Sequence, residues 1–280
     1  PADPTIAGVA ITPVIEIQDT FNNLVTDDDD ATADITLSLA AGTGTMGGTF
    51  TVTAVAGVAT FTATQGAYID LVGAKTIAAW KSDESGGDGV GILSQNSAAF
   101  DINHAAASQL VFNTQPADPT VAGEDINPII EIRDTFGNIV TDNDDATADI
   151  TLSLAAGSGT LGGTLTVSAV AGVATFTATQ GANIDLVGAK TIAAWKSNES
   201  GGSGTGILSQ NSDPFDIIHA EAYELVFTTQ PTNTPAGDDI LPVIEIRDEF
   251  SNVVTTGDDA TADITLSLAD GSGSLFGTLT

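Results

Sequence analysis

Cysteine is absent from all 280 residues. That removes thiol catalysis, thiolate metal sites and disulfide staples at once. Each folded unit must therefore hold itself by burying apolar side chains, which make up 42% of the chain. Basic residues are scarce too: six Lys plus Arg against 37 Asp plus Glu, a formal charge of −31. A surface of that sign repels nucleic-acid phosphates and anionic lipid heads and draws cations. No apolar run approaches the ~20 residues that cross a bilayer as a helix. No secretory-leader pattern is visible after Pro1. No stretch shows a helical apolar face with caps, no glycine-rich phosphate loop joins a strand to a helix, and no nucleophile, base and oxyanion donor come together. The chain reads as a non-enzyme that neither binds nucleic acid nor inserts into a membrane.

Self-similarity dominates what is there. Pro1-Ala2-Asp3-Pro4-Thr5 returns as Pro116-Ala117-Asp118-Pro119-Thr120, and a third copy opens at Pro231. The segment ATADITLSLA starts at Ala31, Ala146 and Ala260. A spacing this long is one whole domain per repeat and too long for a solenoid coil. Within each copy the apolar residues alternate. Ile150, Leu152 and Leu154 are separated by Thr151 and Ser153, and Ile130 and Ile132 flank Glu131. Leu165 and Val167 alternate with Thr166 and Ser168, and Ala174 and Phe176 with Thr175 and Thr177. Period two with Thr and Ser on the outer face predicts half-buried strands. Leu110–Phe112, Thr191–Lys196 and Phe215–Ile218 are further strands by composition. Turn chemistry punctuates them at Gly137-Asn138, Gly157-Ser158-Gly159, Gly162-Gly163, Ala171-Gly172 and Gly201-Gly202. About seven short strands per ~100 residues predict a two-sheet sandwich.

The second copy runs LVFNTQP (110–116), PIIEIRDTFGNIVT (128–141), DITLSLA, GTLGGTLTV (159–167), GVATF (172–176) and SDPFDI (212–217). In that order the motifs resemble the bacterial immunoglobulin-like (Big-type) repeats of large surface proteins and adhesins. The resemblance implies an all-β chain of tandem immunoglobulin-like β-sandwich domains, each opening on the LVFxTQ strand and closing on FDI. It frames the chain as 1–105 (a repeat lacking its first strand), 106–220 (a complete repeat) and 221–280 (the N-terminal half of a third). It implies an extracellular or cell-surface location, with a structural role in a fibre, stalk or surface layer; the alternative is a ligand-binding adhesin region that grips a glycan or a host or surface protein. The expected partners are neighbouring copies in a linear assembly, either as continued repeats or by head-to-tail strand addition. The second possibility follows from the first copy, which has no counterpart of Leu110-Val111-Phe112 and would leave an apolar strand slot open.

The only cluster with possible ligand chemistry is acidic. Asp27, Asp28, Asp29 and Asp30 become Asp142, Asn143, Asp144 and Asp145 in the second copy and Thr256, Gly257, Asp258 and Asp259 in the third. Closely spaced carboxylates can supply the oxygen shell of a hard cation, so Asp27, Asp29, Asp30, Asp142, Asp144 and Asp145 are candidate calcium ligands. The competing reading is a solvated acidic turn. Asp19, Asp134 and Asp248 recur just before the turn that follows the second strand of each repeat and suit Asx-turn caps over ligation. His104 and His219 fall just after the final strand and read as joint-packing residues. Trp80 and Trp195 read as core or sheet-face aromatics, and Lys75, Lys81, Lys190 and Lys196 as members of local ion pairs. Asn198-Glu199-Ser200 is a lone glycosylation sequon, whose counterpart Asp83-Glu84-Ser85 lacks the asparagine.

Overall fold

The computed structural model describes residues 1–82, 94–197 and 209–279. The sequon and the Gly201-Gly202 turn lie outside them. The described residues are all-β apart from three single 3-10 turns. In the second repeat, one sheet orders Ala107–Thr114, Ile129–Asp134 and Val173–Thr175. The other orders Thr120–Val121, Phe215–Ile218, Gly188–Lys196, Asp149–Ala156 and Thr166–Ser168. Thr120–Val121 pairs parallel to Phe215–Ile218, and the rest of that sheet is antiparallel. Ala107–Thr114 lies in the first sheet and the short strand Thr120–Val121 that follows it lies in the second, and the chain crosses between the sheets again at Ile129–Asp134 and Asp149–Ala156. That is an immunoglobulin-like sandwich, and the first repeat repeats its larger sheet strand for strand.

Alternation carries through to burial. Ile150 and Leu152 are buried, while Thr151 faces outward and bonds Thr166 across the strand pair at 2.7 Å. The two inner faces close a core that includes Leu110, Ile130, Ile132, Leu152, Phe176 and Ile192. Ile11, Ile17, Ile35, Phe61, Ile77 and Phe100 belong to the equivalent core of the first repeat. Two strands run further than composition suggests, Ala107–Thr114 and Gly188–Lys196, because tertiary pairing recruits the flanking Ala, Gly and Asn. In the third repeat, Glu224–Thr229 pairs with Val243–Arg247, and no further strand follows among the described residues.

Candidate functional site: the joint between repeats

The turn Asp134-Thr135-Phe136-Gly137-Asn138 is shaped by its first carboxylate. Asp134 Oδ1 accepts from the N–H groups of Phe136 and Asn138, both at 2.9 Å. This is the Asx-turn role expected for Asp134, and Asp19 and Asp248 make the same pair of bonds. The fourth turn position takes the left-handed conformation in all three copies: Asn22 at φ 65°, Gly137 at 86° and Ser251 at 70°. Asn and Gly suit that position better than Ser.

The turn then docks on the preceding repeat. Asn138 Nδ2 donates to the Asp70 carbonyl at 2.7 Å, and Asn138 Oδ1 accepts from the Val72 N–H at 3.0 Å. One amide side chain therefore satisfies two backbone groups of a corner in the neighbouring sandwich. At the next boundary Asn252 treats Asp185 and Val187 in the same way, at 2.8 and 3.0 Å. Behind the corner lies a buried lysine. Lys75 Nζ donates to the Val72 carbonyl at 2.8 Å, and Lys190 to that of Val187 at 2.9 Å. Burial pushes both amines below the usual lysine range; Asp70 and Asp101 beside Lys75, and Asp185 and Asp216 beside Lys190, partly offset it. These two lysines differ from the ion-pair expectation: their bonded partner is a backbone carbonyl, and they brace the corner that receives the next repeat.

Phe136 supplies the apolar half of the joint. It packs against the core of the first repeat, its ring centroid 5.9 Å from that of Tyr68. Phe250 packs likewise on the core of the second. Each ring lies over a glycine. A Cβ at Gly8 would stand 2.3 Å from Phe136 Cζ, and one at Gly123 2.3 Å from Phe250 Cζ. Both glycines have positive φ, 77° and 81°, so backbone and space exclude a side chain together. The equivalent ring of the first repeat, Phe21, is 82% exposed.

The linker is tied to the same carboxylate. Asp134 Oδ2 accepts from the Ala105 N–H at 2.8 Å and from Asn138 Nδ2 at 2.9 Å. Asp248 Oδ2 repeats this with Ala220 and Asn252. Burial pushes the Asp248 carboxyl up, but hydrogen bonds from Asn252, Ala220 and Phe250 outweigh it and hold the group below its ordinary value. His104 and His219 stand at the joints, as expected. His104 Nδ1 donates to the Ala105 carbonyl at 2.8 Å, and Nε2 meets Asp142 at 2.6 Å. His219 Nε2 accepts from the Thr256 N–H at 3.1 Å.

The acidic turns make their contacts within the chain. Asp28 caps the 3-10 turn Asp29–Thr32 by accepting from Asp30 and Ala31, and Asn143 does the same for Asp144–Thr147. Asp30 pairs with Lys81 at 2.7 Å and Asp145 with Lys196, as expected for those two lysines. Asp142 turns to His104. Asp27, Asp29 and Asp144 are exposed. Among the described residues no three Asp, Glu or His side chains converge as metal ligands. Sequence reasoning missed Asn138, Asn252, Lys75 and Gly8 as joint residues. Their recurrence at matching places was visible, but which surface they face was not.

No protein-family model and no curated protein matches the chain. Solved structures do. The Escherichia coli adhesin FdeC is 18% identical, covering 91% of this chain and 73% of its own, with a TM-score of 0.39. The D0-D1 domain of intimin is 14% identical, covering 77% and 93%, with a TM-score of 0.26. Domains 4 and 5 of the S-layer protein SbsC are 10% identical, covering 72% and 79%, with a TM-score of 0.28. The class of protein follows from the sheets and joints described above: a tandem array of immunoglobulin-like sandwiches.

Proposed function

We propose that the chain is a structural module of an extracellular fibre, stalk or surface layer, in which each repeat is fixed to the next, and that it performs no catalysis. The observation that carries this reading is the duplicated joint. At both boundaries the same Asn, Phe, Asp, Lys and Gly make the same contacts, with the paired distances quoted above agreeing within 0.1 Å. A joint that only tethered its domains would not need two side-chain bonds to a braced corner and an inserted ring. Relative motion of neighbours is the default when their interface is small and polar. Here an aromatic anchor and half-buried hydrogen bonds oppose it. The order of motifs shared with Big-type repeats supports a bacterial surface setting. The charge of −31 supports an exposed, solvated array.

Small-angle X-ray scattering on the chain tests the reading. A stiff array gives a rod-like profile that holds on warming short of the melting transition, and Asn138→Ala with Asn252→Ala broadens it. A wild-type profile of freely jointed globules would overturn the proposal. Glycan-array binding by the chain would move it to the adhesin class.

A further inference from the structure

In the second repeat the chain enters the larger sheet at Thr120–Val121 and leaves it at Phe215–Ile218, and these two strands lie side by side and parallel. Thr120 pairs with Ile217 and Val121 with Ile218. The Ala122 N–H then donates to the Ile218 carbonyl at 2.8 Å. Thr120, Ala122 and Ile217 are buried, which shields the pairing from water. Just ahead of Thr120, where the short strand has ended, a side chain supplies the next bond: Asp118 Oδ1 accepts from the Asp216 N–H at 2.9 Å. Further back, Gln115 Oε1 accepts from the Asp213 N–H at 3.0 Å. The first repeat is built alike. Thr5–Ile6 runs parallel to Phe100–Asn103, the Ala7 N–H donates to the Asn103 carbonyl at 2.8 Å, and Asp3 Oδ1 accepts from the Asp101 N–H at 2.9 Å.

The direction of these strands decides how they meet a pull. After Ile218 come only His219 and Ala220 before the chain is tied into the next repeat through Asp248 Oδ2. At the other boundary Asn103 leads through His104 to Ala105, which Asp134 Oδ2 holds. Tension along the array therefore reaches each sandwich through its entering and leaving strands. Because the two run the same way, the pull draws one back along its axis and the other forward. The bonds between them are sheared together and have to break together. An antiparallel hairpin pulled at its open end gives way one bond at a time. Ala107–Thr114 lies ahead of the parallel pair, and peeling it frees only residues before Asp118. The body of the repeat opens when the parallel pair yields.

We propose that the chain bears tension, and that in each repeat the parallel pair, extended by Asp118 or Asp3, is the latch that sets when the repeat opens under force. The proposal rests on the reading of the chain as part of a fibre, stalk or surface layer and gives that reading a mechanical duty beyond stiffness. The two carboxylates are the removable part of the latch: both residues are exposed, so replacing them spares the core. Each latch closes a loop whose ends are 98 residues apart. Opening either repeat therefore releases about 300 Å of chain.

Constant-force stretching of the whole chain tests this, with a tethering cysteine added at each end since the chain has none of its own. The expected record contains two steps of about 300 Å, one for each latched repeat. Asp118→Ala shortens the wait before one step about three- to tenfold, the rate consequence of losing one hydrogen bond on the path of the force. Asp3→Ala does the same to the other step. Asp118→Asn keeps an acceptor oxygen and restores the wait. Thr151→Val removes hydroxyl bonds to Thr166 and Ser197, away from the latch, and leaves the wait unchanged. Should one alanine variant fail to fold, the other decides in its own repeat. Waits unaltered by Asp118→Ala and Asp3→Ala overturn the proposal, and so does a wait that Thr151→Val shortens as much as they do. Neither failure touches the scattering profile, so the stiffness reading falls only on its own measurement.

Discussion

Asn138 accepts a hydrogen bond from the backbone N–H of Val72, 3.0 Å away and across a repeat boundary. The same side chain is held by Asp134 within its own repeat. One asparagine thus belongs to a turn and to an interface at once, and a change in either is felt in both.

Replacing Asn138 by Ala leaves the Val72 N–H and the Asp70 carbonyl without their side-chain partner at a half-buried place. A net loss of about 0.5–1.5 kcal/mol per hydrogen bond is expected, below the cost of a fully buried unsatisfied group. Urea titration followed by the fluorescence of Trp80 and Trp195 should show a lower midpoint. Asn23→Ala removes the same residue type from a turn with no neighbour docked on it among the described residues, and should cost less.

The three equivalent phenylalanines should separate in the same way. Phe136→Ala and Phe250→Ala remove a ring that packs on the adjoining core, and each should destabilise by about 2 kcal/mol, less than the 3–5 typical of a fully buried ring. Phe21→Ala should stay within roughly 0.5 kcal/mol of the parent, as surface changes do. Gly8→Ala should resemble Phe136→Ala in effect, because the new methyl occupies the place of the ring. Thermal unfolding of the four variants side by side checks the ranking.

Acid should weaken the second joint in a defined window. The Asp248 carboxyl titrates below its ordinary value of 3.8 in the folded chain. The unfolded chain therefore takes up the proton first as pH falls. The contribution of Asp248 is intact above about 3.8, declines below it, and is gone once pH has passed the folded value. Asp248→Asn should flatten this part of the stability profile relative to the parent, as read by chemical denaturation at a series of acidic pH values.

Screening should stabilise the array. With 37 acidic against six basic residues, the compact state repels itself, and the melting temperature should rise with sodium chloride. Asp30 and Asp145 are already engaged by Lys81 and Lys196, so calcium at matched ionic strength should add little. A further rise with calcium, reversed by chelator, would give Asp142 and Asp144 a ligand role.

Much of the fold was legible because its signals are local. Alternation at Ile150, Leu152 and Leu154 reports a half-buried strand without reference to anything distant, since the pleat has period two. The Asx role of Asp134 was equally readable, because its acceptor and donors lie within four residues of each other. The expected placement of His104 and His219 at the joints followed from their position after the last strand. The contacts of the acidic run were harder to read. Asp27, Asp29 and Asp30 stand out only as a local cluster of carboxylates, whereas the structure makes Asp28 the cap of a 3-10 turn and pairs Asp30 with a lysine 51 residues away.

The sequence by itself determined that this is a repeated, all-β, acidic chain, because composition, period and turn residues act over a few positions at a time. Only the tertiary structure decided what the repeated placement of Asn138 and Asn252 is for, since their partners at Val72 and Val187 lie 66 and 65 residues away. It also decided that Lys75 and Lys190 brace a corner instead of closing an ion pair, and that Gly8 and Gly123 are small to admit a ring from the next domain. The physical reason is the same in each case. A side chain's chemistry is written in its own residue, but the group it satisfies is chosen by how the sheets stack and by which end of one sandwich meets the next.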